Sequence, residues 1–177
     1  MTCRAPAVAI IGIGATIMIG LVAGGHLGGL RINLTPSYPL GLWRIAPLER
    51  PAGVGDLIFI CPPDTPTFRQ AAERGYLRRG LCPGWLSPLI KTIVATPGQH
   101  IAVDVAVTID GALLAASALR PTDAEGRVLV AHDGGAVPIG HLFVHSDFAG
   151  SYDSRYFGPI PVAGLLGLAH PVLTYAR

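Results

Sequence analysis

From Ala5 to Gly25 the chain carries no charged side chain, and Ala7 to Ala23 reads AVAIIGIGATIMIGLVA. About 20 such residues, wound into a helix, match the hydrocarbon thickness of a bilayer. Glycines at positions 12, 14 and 20 lower helix propensity in water, but lipid offers the backbone no competing partner, so they are tolerated there. Two readings of the run stay open. Val22-Ala23-Gly24 offers small residues where a leader could be cut, whereas the run exceeds the usual apolar stretch of a signal peptide, about 7 to 15 residues. Length therefore favours a retained anchor over residues 6–25. With Arg4 before the span and Arg31 after it, the default for such an anchor is a short cytoplasmic head, residues 1–5, and an exported remainder.

Residues 26–177 contain no long polar linker and read as one domain. Of the whole chain, 14% is charged against about 25% in typical soluble domains, so part of it is expected to meet lipid. The net charge of +2 is small, and aromatic residues are not interleaved with Lys or Arg, which argues against a nucleic-acid surface. Glycine and proline are abundant without a period, favouring a mostly β, loop-rich fold over a helical bundle. Gly98, Gly111, Gly126 and Gly140 fit turns, not a phosphate loop, and no cofactor is implied. The three cysteines lack a C-x-x-C spacing and there is no H-E-x-x-H run, so no metal site is expected.

Leu57–Cys61, bounded by Gly55-Asp56 and Pro62-Pro63, reads as a buried strand, and Leu89–Ala95 as a second. Ile101–Val103, Val105–Ile109 and Leu113-Leu114 suggest strands with a hairpin turning at Asp110-Gly111. Val128–Ala131, Leu142–His145 and Leu165–Leu173 are further strand candidates, the last too short to span a membrane. One helix is predicted from Pro66 to Gly75, with Thr65 as its cap. It lies within 62–88, a segment that reads as an insertion between two core strands.

Two residues carry chemistry. Ser37 stands between Pro36 and Tyr38-Pro39, whose fixed φ angles present its hydroxyl on a rigid, non-helical bend. A serine nucleophile needs a base. His26, His100, His132, His141, His145 and His170 form no recognisable triad pattern, and there is no Gly-x-Ser-x-Gly elbow. Lys91 has aliphatic neighbours on either strand face, and desolvation disfavours its charged form. Lowering a lysine pKa from about 10.4 to about 7 to 8 takes roughly 3 to 4 kcal/mol, within reach of burial. Taken singly, Ser37 also reads as a turn residue and Lys91 as a strand lysine with its head in water.

The residues Thr35-x-Ser37-x-Pro39-x-Gly41-x-Trp43, then Gly55-Asp56-Leu57-Ile58-Phe59, then Lys91-Thr-Ile-Val-Ala-Thr-Pro97-Gly98, then Ser151-Tyr-Asp153-Ser154-Arg155 occur in the order found in type I signal peptidases. The whole chain after the anchor resembles that family. Its short nucleophile box, small size and cysteine-containing insertion are similar to the TraF-type peptidases of conjugative transfer systems. His145-Ser146-Asp147-Phe148 replaces the Gly-Asp-Asn-Arg that opens the last box in the housekeeping enzymes. The resemblance implies a signal-peptidase-like β fold with its site at the membrane surface, Ser37 as nucleophile and Lys91 as general base. It also implies Thr35 as second oxyanion donor beside the Ser37 amide, and Asp153 with Arg155 as support. The expected partners are a pilin or other preprotein substrate, membrane lipid and conjugative transfer proteins, in the inner membrane with the domain in the periplasm. There Cys61 and Cys82, flanking the insertion, are candidates for a disulfide, while Cys3 stays a thiol. A housekeeping signal peptidase and a non-catalytic docking module are the competing readings.

Overall fold

A computed structural model describes residues 4–175; Cys3 and the start of the expected head lie outside them. Helix α1 (Arg4–Leu27) contains a 21-residue stretch, Ala7–Leu27, of mean hydropathy 2.3 with no burial against the rest of the chain. At about 1.5 Å per residue it is as long as a bilayer core is thick. Being apolar on every side, it needs an apolar surround that the domain does not supply. The helix ends where Gly29 turns left-handed (φ 76°) and its carbonyl accepts a bond from the Ile45 amide, so the chain passes from anchor straight into sheet.

The remainder is mostly β. The strands in chain order are β1 (Leu30–Asn33), β2 (Leu40–Ala46), β3 (Leu57–Ile60), β4 (Arg79–Cys82), β5 (Leu89–Ala95) and β6 (His100–Val103). They continue as β7 (Val107–Ile109), β8 (Ala112–Leu113), β9 (Gly135–Ala136), β10 (His141–His145), β11 (Ile160–Pro161) and β12 (Leu165–Tyr175). Two short helices are interposed, α2 (Pro66–Glu73) and α3 (Ser154–Phe157). A seven-stranded sheet runs β1-β2-β12-β3-β5-β10-β11, and a four-stranded sheet runs β8-β7-β6-β9. Every pairing is antiparallel, and the last long strand enters between β2 and β3, which closes the fold around its own carboxyl end.

Local chemistry explains most of these elements. β3 and β5 are β-branched and aromatic, are buried on both faces, and pair Ile58 with Lys91 and Leu57 with Thr92. Asp110 and Gly111 both have positive φ, 50° and 82°, the requirement of the two-residue hairpin joining β7 to β8. α2 starts on Pro66 as expected, but Thr65, though extended, makes no capping bond with its side chain. The strand expected at Val128–Ala131 is a loop with one bridge, Thr122 to Val128. Val128 and Val130 point into solvent, and alternation with a buried face is missing.

The inserted segment 62–88 is not an appendage. Phe68, Ala71, Leu77, Cys82 and Leu86 share one core with Ile58, Ile60 and Ile93 of the main sheet. The Cys61–Cys82 disulfide ties its far end back to the end of β3 across a sequence separation of 21. Smaller cores lie under the second sheet around Val107 and Phe143, and beneath the Ser37 loop around Trp43, Phe59 and Ile90.

Candidate active site

Ser37 sits in the loop between β1 and β2, ten residues after the end of α1. One buried side chain organises that loop. Asn33 donates from Nδ2 to the carbonyls of Thr35, Tyr38 and Pro39, at 3.0, 3.0 and 3.1 Å, and accepts at Oδ1 from the Thr35 amide and hydroxyl, at 3.1 and 2.8 Å. Trp43, 2% exposed, donates its indole N–H to the Pro39 carbonyl at 3.0 Å and meets the Tyr38 ring edge-on at 6.3 Å. Gly41 lies so close to β12 that a side chain there would collide with the Leu173 carbonyl, and its φ of 126° suits glycine alone. The spacing Ser-x-Pro-x-Gly-x-Trp is thus a construction rule for this bend. Its other fastenings are Tyr38 Oη to Thr92 Oγ1 at 2.7 Å and Ser146 Oγ donating to the Ser37 carbonyl at 2.7 Å.

Lys91 lies on β5 in the middle of the large sheet, 3% exposed, on the same strand face as Leu89 and Ile93. Its ammonium donates to Ser151 Oγ at 2.5 Å. Burial lowers its pKa to about 8; the nearby Asp153 carboxylate opposes the shift and the Arg155 guanidinium adds to it. Ser37 Oγ also reaches Ser151 Oγ, at 3.3 Å. Ser37 and Lys91 are therefore brought together through a third hydroxyl, and among the described residues they share no direct hydrogen bond.

Asp153 and Arg155 form the floor beneath this group. Both are fully buried, and the guanidinium grips the carboxylate from Nε at 2.8 Å and Nη2 at 2.9 Å. The remaining donors go to backbone: Nη1 to Ala118 O at 2.9 Å and Nη2 to Ser151 O at 3.1 Å, which fixes the residue that touches Lys91. Burial alone would raise the Asp153 carboxyl; the His145 ring, the Arg155 bonds and the Lys91 charge outweigh it and hold the pKa at about 2. His145 is buried with Nδ1 3.3 Å from Asp153 Oδ2, close but off the line of a good hydrogen bond.

Over these groups opens a cleft of about 390 Å³, bounded by the Ser37 loop, by residues 74–78 and 87–91, and by the 120–125 loop. Thr35, Ser37, Lys91 and Ser151 all line it. The sequence-based set Ser37, Lys91, Thr35, Asp153 and Arg155 is thus gathered in one place. Thr35 differs from expectation in one respect: its hydroxyl proton is engaged with Asn33, so donation into the cleft requires it to rotate. The Ser37 amide, by contrast, has no acceptor among the described residues. Two residues escaped sequence reasoning. Ser151 was visible only as the opening of the Asp153 segment, and Asn33 only as an Asx-turn pattern two residues before Thr35. Among the described residues no cluster of His, Cys, Asp or Glu is placed to hold a metal ion.

A mostly β domain follows one membrane-length helix, and a buried lysine and a loop serine line one cleft, joined through Ser151. The chain belongs to the family described as signal peptidase, peptidase S26, which matches residues 4–174. It is 57% identical to a probable conjugal transfer protein TraF of Sinorhizobium fredii, over 89% of this chain and 84% of that protein. It is 53% identical to the conjugal transfer protein TraF of Agrobacterium fabrum, over 93% and 94% of the two, and 36% identical to a plasmid transfer protein TraF of Escherichia coli, over 93% of each. A signal peptidase I from Enterococcus faecalis, known from a crystal structure, superposes with a TM-score of 0.41 at 22% identity, covering 67% of this chain and 97% of its own.

Proposed function

We propose that the protein is a membrane-anchored serine endopeptidase that processes the precursor of a pilus subunit for conjugative transfer. The observation that carries this reading is the convergence of Ser37 Oγ and the buried Lys91 Nζ on Ser151 Oγ. With Lys91 neutral, the Ser37 proton passes to Ser151 while the Ser151 proton passes to Nζ, and the freed Ser37 oxygen attacks the scissile carbonyl. The oxyanion is met by the Ser37 amide and, after rotation away from Asn33, by the Thr35 hydroxyl. The ammonium formed at Lys91 then protonates the leaving amine. Water resolves the acyl-enzyme, or the amino terminus of the same substrate does so and closes a ring. Asp153 and Arg155 act as positioning residues, through Ser151 and through the field at Lys91.

The conjugal and plasmid transfer names of the relatives support a pilin precursor over general secretory substrates. Attachment to the membrane is supported by α1 and by the few residues between it and Ser37, and we place the domain on the periplasmic side. Ile32, Leu42 and Leu173 form one rung across β1, β2 and β12; Ile32 and Leu173 are exposed, giving this edge an apolar face suited to lipid. A retained Ser37–Ser151–Lys91 cluster argues against a docking module without catalysis. The test is incubation of the detergent-solubilised protein with the neighbouring pilin precursor, read by mass spectrometry beside Ser37→Ala and Lys91→Ala. Cleavage lost in both folded variants supports the reading, and a product one water lighter than the linear form marks cyclisation. Cleavage that survives in Lys91→Ala removes the lysine base.

A further inference from the structure

We propose that the cleft is built to receive a carboxylate of the substrate peptide, held by Arg78 and Arg120; this rests on the peptidase reading above. Both arginines line the cleft, one from the inserted segment and one from the loop that enters α3's neighbourhood across it. The acidic residues of the same wall, Asp123 and Glu125, share one cation, Arg127. Asp123 is bonded by Arg127 Nε at 2.6 Å, by the Tyr76 hydroxyl, and by the amides of Glu125 and Arg127 at 3.0 and 2.8 Å. Glu125 pairs with Arg127 Nη2 at 2.8 Å, and Arg74 is turned to the Val128 carbonyl at 3.0 Å. Among the described residues no acceptor meets the guanidinium of Arg78 or Arg120. Arg74, Arg78, Arg120 and Arg127 outnumber these two carboxylates, so the field along this wall is positive although the chain as a whole is near neutral.

Arg120 is also held close to the reacting groups. Its amide donates to Tyr156 Oη at 3.1 Å, and its Nη1 stands 3.6 Å from where a side chain on Gly150 would begin, one residue before Ser151. A planar guanidinium without an acceptor of its own at the wall of a cleft can pair bidentately with a carboxylate and gains nothing from an amide of the same shape. Discrimination follows between substrates that differ by a single charge.

The carboxylate can be an acidic side chain or the terminal carboxylate of a short leaving segment, and one peptide series separates them. Labelled peptides with small residues before the cut, as at leader-peptide cleavage sites, carry Asp, Asn or Lys at each of four positions on either side of it, and each ends in either an acid or an amide. Binding is measured by fluorescence anisotropy to the full-length Ser37→Ala protein in detergent, so that no turnover is needed. We expect one acid to bind at least tenfold tighter than its amide at about 50 mM salt, with the advantage shrinking at about 500 mM as screening increases. Preference at an internal position identifies a side chain; preference only at the end identifies a terminal carboxylate. In Arg78→Gln and Arg120→Gln the acid-to-amide ratio falls to about 2 or below, and in Arg120→Glu it inverts in favour of a Lys peptide. A ratio below 2 at every position, or one that survives in the double glutamine variant, overturns the inference. Wild-type cleavage of the pilin precursor is scored separately. If it fails while the Ser37→Ala protein still discriminates, the peptidase reading falls and the carboxylate site stands. If cleavage succeeds without discrimination, only the carboxylate site falls.

Discussion

The two halves of the site are built from opposite materials. Ser37 lies at the edge of the sheet, half-buried, in a loop held by neutral hydrogen bonds from Asn33, Trp43, Tyr38 and Ser146. Lys91 lies on a central strand, 3% exposed, over a fully buried Asp153–Arg155 pair. The contrast fits the roles proposed for the two groups. A nucleophile must meet an incoming peptide, so it belongs on an accessible bend whose shape is fixed by geometry. A lysine base must lose its hydration, so it belongs in the core, where burial disfavours its charged form. The halves are joined by Ser151 between Ser37 and Lys91, by Ser146, which bonds the Ser37 carbonyl and takes its amide to Asp153, and by Tyr38, whose hydroxyl meets Thr92 beside Lys91.

The largest expected effect is on rate. Ser37→Ala and Lys91→Met should each lower processing by about a thousandfold or more, consistent with the loss of one member of a unit that acts together. Wild-type kcat/KM should rise about tenfold per pH unit up to about pH 8 and then level, since only neutral Lys91 accepts a proton. Stability should respond in the opposite way to Lys91. Its folded pKa lies below the unfolded value of about 10.4, so the unfolded chain binds more protons between the two, and stability rises with pH through that window. At pH 7 Lys91→Met should therefore unfold later in urea than wild type, by on the order of 3 kcal/mol, with the gap closing near pH 10.5. A rate profile without an inflection near pH 8 would remove the electrostatic role assigned to the core half.

Next in size is the ion pair. Arg155→Leu leaves the Asp153 carboxylate buried without its partner, and should cost about 3 to 5 kcal/mol by urea denaturation. Asp153, held at about 2 when folded against about 3.9 unfolded, adds stability that is complete above about pH 4 and lost as pH falls towards 2. Asp153→Asn should erase that acid limb. A loss under 1 kcal/mol in Arg155→Leu would show that the floor is held by packing and not by charge.

Reduction of Cys61–Cys82 comes third, at about 3 kcal/mol for a loop of this length. Because the bridged segment contributes Phe68, Ala71, Leu77 and Leu86 to the main core, the loss should appear as one lowered cooperative transition. A separate early melting step would make the insertion an independent unit. Differential scanning calorimetry with and without reductant distinguishes the two.

Legibility in the sequence divides along the same line as the site. The anchor, β3, β5, the Asp110-Gly111 hairpin and α2 were readable because each is encoded by adjacent residues: an uncharged run, a β-branched run, a turn dipeptide, a proline at a helix start. Ser37 and Lys91 were readable as a pair only through resemblance, since neither Pro-flanked serines nor strand lysines are unusual alone. Strand β1 was missed because it is short and sits at the sheet edge, and β2 because it opens directly on a proline-rich bend with a glycine as its second residue. Ser151 and Asn33 were missed as functional groups because their partners lie across the fold or across a bend whose shape the sequence does not display. Val128–Ala131 misled because a β-branched run predicts a strand only where a neighbouring strand is available to pair with it.

The smallest predicted effect tests whether the halves are separable. Asn33→Ala removes five hydrogen bonds from the Ser37 loop and none from Lys91, Ser151, Asp153 or Arg155. It should lower kcat about 10- to 100-fold through displacement of Ser37 Oγ, with a stability loss of about 1 to 3 kcal/mol for the carbonyls left unpaired. The inflection of the rate profile should stay near pH 8, because the surroundings of Lys91 do not change. Thr35 gives the result a second edge. Released from Asn33, its hydroxyl is free to turn into the cleft, so in the Asn33→Ala background a further Thr35→Val should still cost activity, about tenfold, if that hydroxyl serves the oxyanion. A double variant no slower than Asn33→Ala would make Thr35 a structural member of the bend alone, and an inflection moved by half a pH unit would show that the loop reaches the core's electrostatics through Ser146.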